Sequence, residues 1–190
     1  MNRRAALNRV SMIMGGTIVG AEIFLYGCKP GTPPLSDIEF TPENLAFLDE
    51  VGETILPETP SSPGAKAAKI GEFMKVMVTD CYKKDDQNAF LEGIVALNDL
   101  AKSKFDEGFI AVSEEDKKTF LESLDQEAKD YDKAREKDKP KHYFTMMKEL
   151  TLWGYFSSEV GATQALRYVE TPGRWEACIP YNEGDKAWAI

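Results

Sequence analysis

Cysteine and histidine are scarce in this sequence, which has three cysteines and a single histidine in 190 residues. No Cys-x-x-Cys pair occurs, so zinc ribbons, thioredoxin-like redox sites and c-type haem attachment lack their ligand spacing. His142 stands beside Tyr143 and Phe144, where we expect a packed or surface residue rather than a catalytic base or a metal ligand. Cys81 and Cys178 could form a disulfide with each other, or one of them could bridge to another chain; their spacing does not decide between these options.

Basic residues are outnumbered by acidic ones, 23 to 32. Motifs typical of catalytic sites are also missing from the sequence. The net charge is -9 and the isoelectric point is about 4.8, so the chain would repel the phosphates of a nucleic acid. No glycine-rich loop follows a strand and no nucleophile elbow is present. Paired carboxylates such as Asp85 and Asp86 stand at predicted helix starts, where the helix dipole explains them. We therefore expect no catalytic, cofactor-binding or metal site in this chain.

The N-terminus is the exception to the acidic composition. Arg3 and Arg4 precede a mostly apolar run that ends at Gly27 and Cys28. A positive head, a short apolar run and a small residue before a cysteine are typical of a bacterial lipoprotein signal, in which Cys28 receives the lipid. The two adjacent arginines favour a Tat signal, which exports folded proteins. The alternative is an uncleaved membrane anchor, which Glu22 within the run disfavours. Either way we expect a periplasmic protein, or one on the outer face of a bacterial membrane, lipid-anchored or signal-anchored.

The chain divides by composition into residues 1–28, a signal segment, residues 29–40, a proline-rich linker, and residues 41–190, a helical domain. Apolar residues in the third part recur at helical spacing, and nothing alternates with period two for long enough to form a strand. The sequence predicts an all-α fold, a compact bundle of about five or six short helices after an N-terminal signal helix, with an irregular C-terminal tail. The predicted helices begin at Thr41-Pro42, near residue 67, at Asp85 or Asp86, at Ser113, at Pro140 and near Ser158.

Two segments of the domain are candidates for a binding surface. Residues 151–161 place Trp153, Tyr155 and Phe156 around Gly154; such rings are enriched at interfaces, although each of them could equally lie in the core. The tail from residue 171 to 181 is apolar and without periodicity. We expect it to lie against its own domain or against a partner, because a solvated tail would be more polar.

A set of short motifs extends through the domain. They are Ile55-Leu56-Pro57-Glu58-Thr59-Pro60, Pro63-Gly64-Ala65, Gly71-Glu72-Phe73, Leu150-Thr151, Gly154-Tyr155-Phe156-Ser157-Ser158-Glu159-Val160-Gly161, Leu166, Tyr168 and Pro172-Gly173. In this order and spacing, over about residues 41–181, the chain resembles the gluconate 2-dehydrogenase subunit 3 family. The family often has Tyr-Thr-Ser-Glu where this chain has Tyr155-Phe156-Ser157-Ser158-Glu159, a small departure that leaves the alignment intact.

The resemblance implies a non-catalytic small subunit. Members of the family accompany a large flavin-dependent dehydrogenase of the glucose-methanol-choline type, in some cases together with a c-type cytochrome. The small subunit carries the export signal, and the FAD belongs to the partner. We expect the partner to contact Pro57, Thr59, Pro63, Gly64, Trp153, Gly154, Tyr155, Ser157, Ser158, Glu159, Pro172, Gly173 and Trp175.

Two other interpretations remain open at this point. One is a stand-alone envelope lipoprotein that binds a small ligand or an envelope component in its helical bundle. The other is a self-sufficient enzyme, which would have to oxidise a sugar without a partner.

Overall fold

The computed structural model describes residues 40–171, 173–174 and 178–189. This part of the chain forms five α-helices, α1 (Pro42–Ile55), α2 (Ile70–Cys81), α3 (Lys84–Phe105), α4 (Glu114–Ala134) and α5 (Tyr143–Ser157). Two 3-10 helices (Ala65–Ala68 and Phe109–Ala111) and a π-helical turn (Gly161–Ala165) complete it. Among the described residues there are no β-strands, only two isolated bridges. The all-α prediction is confirmed, whereas the predicted signal segment and the linker up to residue 39 lie outside the described residues.

Two of the predicted helix starts are confirmed by their capping hydrogen bonds. The Thr41 hydroxyl accepts a hydrogen bond from the backbone N–H of Asn44, and Pro42 occupies the first turn of α1. The Ser113 hydroxyl accepts from the backbone N–H of Asp116 at the start of α4. Both side chains satisfy a backbone donor that has no partner within its own helix.

Three predicted starts are displaced along the chain. Helix α2 begins at Ile70 rather than near 67, because Lys69 is left-handed (φ 52°) and separates it from the 3-10 helix Ala65–Ala68. Helix α3 begins at Lys84, so that Asp85 and Asp86 lie in its first turn and do not cap it. Helix α5 begins at Tyr143, three residues after Pro140. These shifts leave the order of the five α-helices unchanged.

The predicted sixth helix, residues 158–168, is present but shorter than expected. Only the π-helical turn Gly161–Ala165 and the two residues before it are helical. The backbone N–H of Arg167 donates to the Ala187 carbonyl, and the Arg167 carbonyl accepts from the N–H of Ala189. Because both backbone groups of Arg167 are paired with the tail, the helix cannot continue through this residue.

Helix α5 is the central element of the domain and packs against each of the other four α-helices. Apolar residues surround it on most sides, as is typical of a buried helix. Phe40, which the sequence places at the end of the linker, is buried, and its ring lies 6.3 Å from that of Phe90. The largest fully buried side chains are Phe90, Phe109, Phe144, Leu48, Ile70, Met74, Leu97, Met147, Leu150, Val51, Val78 and Thr151. Within the part of the chain that the structure describes, none of the helices is long and apolar enough to cross a membrane.

Candidate partner-binding site

The C-terminal half of α5 carries one set of large apolar side chains that faces solvent. Trp153 is 57% exposed, Phe156 40% and Leu152 37%. We call these three residues the aromatic stripe; positions 152, 153 and 156 fall on one side of the helix because of its period of 3.6 residues. The rings of Trp153 and Phe73 pack edge to face with their centroids 5.8 Å apart, so the indole is held in place although more than half of it is exposed.

Two residues that the sequence placed in the same binding surface lie inside the domain instead. Tyr155 is only 3% exposed, and Gly154 is buried. A Cβ atom at Gly154 would come within 2.5 Å of the Phe73 ring. Gly154 is therefore needed for the close approach of α5 to α2, and Tyr155 belongs to the core.

The loop formed by residues 57–65 is a compact turn on the same end of α5. Thr59 and Ser62 exchange backbone hydrogen bonds at 2.9 and 3.2 Å. The Glu53 carboxylate, at the end of α1, accepts hydrogen bonds from the backbone N–H groups of Glu58 and Lys66, both at 2.8 Å. A Cβ atom at Gly64 would fall within 2.4 Å of that carboxylate. Gly64 is buried beneath Glu53, whereas Pro57 and Thr59 are exposed.

A hydrogen bond joins the loop to α5. The Tyr155 hydroxyl donates to the carbonyl oxygen of Pro63, which is half-buried. This bond links two segments that are 92 residues apart in sequence. It brings together the loop and the helix that carry the family motifs, and it explains why Tyr155 is a tyrosine in a position that otherwise suits phenylalanine.

The end of α5 is closed by serine side chains. The Ser158 hydroxyl donates to the Tyr155 carbonyl at 2.7 Å and accepts from the Gly161 N–H at 3.0 Å. A Cβ atom at Gly161 would lie 1.9 Å from the Tyr155 carbonyl oxygen, so only glycine fits there. Ser157 and Glu159 are exposed and remain available to a partner.

The C-terminal tail returns to this end of the domain. The Arg167 guanidinium stacks on the Trp188 ring at 4.0 Å, and the Lys186 ammonium donates to the Gln164 carbonyl and, at 3.5 Å, to that of Ser61. These contacts are made by residues 186–189, beyond the segment 171–181 for which contact with the domain or a partner was expected; the described residues of that segment, 171, 173–174 and 178–181, are exposed. No motif in the sequence pointed to Lys186 or Trp188; the apolar residues Ala187-Trp188-Ala189-Ile190 were the one indication.

The remaining predicted site residues are less informative. Gly173 is exposed, Pro172 and Trp175 lie outside the described residues, and so do Arg3, Arg4 and Cys28. Cys81 and Cys178 are both free and exposed.

An ion-pair network beside the loop was not foreseen from the sequence. Lys117 of α4 is buried, and its ammonium lies 2.6 Å from the Glu50 carboxylate of α1; Lys66 pairs with the other oxygen of Glu50 at 2.8 Å. Burial alone would raise the pKa of Glu50, but the hydrogen bonds from Lys117 and Lys66 outweigh it and hold this pKa below its usual range. The carboxylate is therefore charged at neutral pH and fastens α1, α4 and the start of the 3-10 helix to one another.

These features define a class of protein: an all-helical domain with a rigid aromatic surface at the end of its central helix. In the described ranges no group of three or more histidine, cysteine, aspartate or glutamate residues could hold a metal ion.

The family model described as Gluconate 2-dehydrogenase subunit 3 matches residues 42–173. The match covers more than half of the chain, and the chain belongs to this family, as the motifs in its sequence predicted. Comparison with curated proteins and with solved structures gave no match. The family name makes the chain a relative of one subunit of an oxidoreductase complex, which is consistent with an accessory role.

Proposed function

We propose that this chain is a non-catalytic accessory subunit that exports, stabilises and tethers a periplasmic flavin-dependent sugar or polyol dehydrogenase of the glucose-methanol-choline type. The FAD belongs to the large subunit. In some members of the family a c-type cytochrome belongs to the same complex. The family match and the scarcity of cysteine and histidine in the sequence both support a partner that supplies the redox chemistry.

The observation that carries the proposal is the aromatic stripe. Three large apolar side chains are exposed next to one another on a helix that the core holds rigid. Exposed apolar groups of this kind mark binding sites when they are clustered, and tryptophan is the residue most often found at the energetic centre of an interface. The exposed residues Pro57, Thr59, Ser157 and Glu159 would form the polar surroundings of this contact.

Export and tethering rest on the N-terminal sequence. Arg3 and Arg4 would direct the folded chain, with its flavoprotein bound, through the twin-arginine route, and Cys28 would carry the lipid that holds the complex at the membrane. The flavoprotein then needs no signal of its own because it crosses as a passenger.

The test is co-purification of the full-length chain from membranes, followed by identification of the bound proteins by mass and of bound flavin by absorbance. We expect the wild type to bring down a flavoprotein. Trp153→Ala should weaken the complex by about thirtyfold or more, as expected for a central interface tryptophan. Val95→Ala, which shortens a comparably exposed side chain on α3, serves as the control and should leave the complex intact.

The opposite results would be equally clear. If Trp153→Ala leaves the affinity of the complex unchanged, the aromatic stripe is not part of the interface. Recovery of a folded monomer without any flavoprotein would instead favour the stand-alone ligand-binding lipoprotein. Oxidation of a sugar by the isolated chain would contradict the accessory role altogether.

A further inference from the structure

A groove of about 410 Å³ lies between α3 and the junction of α4 with α5, at the opposite end of α5 from the aromatic stripe. Its floor is formed by small residues of α3, Ala89, Gly93 and Ala96, which share one face because they are four and three residues apart. A Cβ atom at Gly93 would fall 2.3 Å from Tyr143. Glycine here lets Tyr143 lie directly on α3, which places an aromatic ring at the base of the groove.

Three rings line the groove beside this floor. His142 packs on Tyr143 with centroids 4.2 Å apart, and the ring of Tyr131 meets His142 edge to face at 5.5 Å. Tyr131 is 46% exposed, while the other two rings are half-buried. The groove is thus lined by three adjacent rings, of which that of Tyr131 belongs to the most exposed residue.

The charged groups that line the groove are negative in sum. Glu92 of α3 and Glu127 of α4 are both exposed at its rim. Lys141 is the one lysine that lines it, and its ammonium is held by the Glu149 carboxylate at 2.6 and 2.8 Å. The His142 ring accepts a hydrogen bond from the Phe144 N–H through Nδ1 and is therefore neutral. The carboxylates of Glu92 and Glu127 are therefore the charged groups that would contact a ligand in the groove.

We propose that this groove binds a small organic cation, a quaternary ammonium or a similarly substituted amine. Aromatic faces attract such cations through the negative side of the ring, and a nearby carboxylate adds a direct charge contact. An anionic ligand would be repelled by Glu92 and Glu127, and the acidic chain as a whole would attract cations towards the groove. Tyr131 would supply the main ring contact and Glu127, one helical turn before it on α4, the main charge contact.

The probe for a first experiment is choline, with its uncharged carbon isostere neohexanol as the comparison. Binding to the full-length chain is measured by titration calorimetry in a non-ionic detergent, because zwitterionic detergents can carry the same ammonium group. We expect choline to bind measurably and neohexanol not to bind. Competition by vesicles that bear trimethylammonium head groups would identify a lipid as the source of the ligand; no competition would indicate a free solute.

Variants separate the ring contact from the charge contact. Tyr131→Ala and Glu127→Gln should each weaken choline binding by about threefold to thirtyfold, the range expected for a cation on an aromatic ring, whereas Tyr131→Phe should retain it. Tyr168→Ala and Glu122→Gln change exposed residues of the same types outside the groove and should have no effect. Equal binding of neohexanol, no binding of choline, or insensitivity to both groove variants would overturn the proposal. Circular dichroism confirms in each case that the variant is folded.

Discussion

Single glycines determine how closely the helices of this domain approach one another. A Cβ atom at Gly71 would lie 2.5 Å from the backbone carbonyl oxygen of Leu45 in α1. At Gly52, also at the interface of α1 with α2, the nearest atom is a methyl group of Ile70 at 3.4 Å, an ordinary contact. The two positions look alike in sequence, and the backbone separation alone distinguishes them.

Replacing these glycines by alanine should have opposite effects. Gly71→Ala should lower the free energy of unfolding by about 1–3 kcal/mol, because a backbone carbonyl cannot turn aside as a side chain can. Gly52→Ala should be neutral or should stabilise by up to about 1 kcal/mol, because alanine is the better helix former and its Cβ finds room. Urea unfolding of both variants measures the difference, and a Gly71→Ala protein as stable as the wild type would show that α1 and α2 are less tightly packed than described.

His142 forms the N-terminal cap of α5. Its Nδ1 accepts from the Phe144 N–H, and its own backbone N–H donates to Asp132. Burial lowers the pKa of His142 below its usual value, an effect that the charges of Glu127 and Asp132 only partly offset. The ring is therefore neutral in the folded protein at a pH where it is already protonated in the unfolded chain.

This difference predicts a loss of stability in mild acid. As the pH falls through about 6.5, the unfolded chain binds the proton first, so the free energy of unfolding decreases until the folded protein is protonated as well. His142→Asn keeps an acceptor at the cap but cannot titrate in this range. Unfolding in urea at pH 7.5 and pH 5.5 should show a smaller decrease for the variant than for the wild type. Equal decreases in both proteins would assign the effect to carboxylates whose pKa is lowered in the folded protein, such as Glu50 and Asp125, and not to His142.

At the scale of elements, the connection between α5 and the loop 57–65 organises the proposed interface. The loop has few contacts of its own beyond the Thr59–Ser62 turn and the Glu53 carboxylate. The Tyr155 hydroxyl ties it to the central helix, and Lys186 adds a bond from the tail. The position of the loop therefore depends on side chains from three separate parts of the chain.

Tyr155→Phe tests this connection because it removes a single oxygen from a buried ring. The Pro63 carbonyl would lose its donor, and we expect a loss of about 0.5–1.5 kcal/mol in the free energy of unfolding. Hydrogen exchange of the backbone amides of Thr59 and Ser62 should become faster, since the loop is no longer held. Tyr168→Phe removes the same atom from an exposed ring and should change neither quantity; unchanged exchange in Tyr155→Phe would show that Glu53 and Lys186 hold the loop without the Tyr155 hydrogen bond.

At the scale of the whole molecule, an acidic helical domain follows a basic, apolar N-terminus. The domain provides the proposed interface, and the N-terminal 28 residues provide the proposed export signal and membrane anchor. We expect these two functions to be separable, because the sequence between them contains Pro30, Pro33 and Pro34 and proline-rich segments act as extended spacers.

Cys28→Ser distinguishes a lipid anchor from an uncleaved apolar anchor. If Cys28 carries the lipid, the variant should lose its acyl chains, keep its uncleaved signal and increase in mass by the segment that is normally removed. Mass spectrometry of the chain purified from membranes measures both changes. Uncleaved masses for wild type and variant that differ only by the cysteine-to-serine exchange would favour the membrane-anchor alternative. Arg3→Lys with Arg4→Lys serves as a separate check, because loss of export would follow only if the twin-arginine route is used.

Much of the fold could be predicted because its information is local. Thr41 and Ser113 are residue types that favour the N-cap position, so they indicate where α1 and α4 begin. The apolar residues of α1, α3, α4 and α5 recur with a period of 3.6 residues. The end of the last helix could not be predicted, since Arg167 pairs with residues 187 and 189, which no local rule connects to it.

The binding surface was predicted in outline but not in its individual residues. The sequence places Trp153, Gly154 and Tyr155 side by side, and adjacent residues on a helix point in directions about 100° apart. Which of them faces solvent depends on where α2 and the loop 57–65 lie. The structure leaves Trp153 exposed and turns Tyr155 and Gly154 inwards.

The sequence by itself determined the helical class, the family and the absence of the common metal and nucleotide motifs, because these depend on composition, periodicity and short motifs. Only the tertiary structure decided which aromatic rings are exposed, that Tyr155 binds the loop, and that Glu50 pairs with Lys117. Each of these depends on the distance between atoms of residues far apart in the chain, and that distance is set by the packing of whole helices.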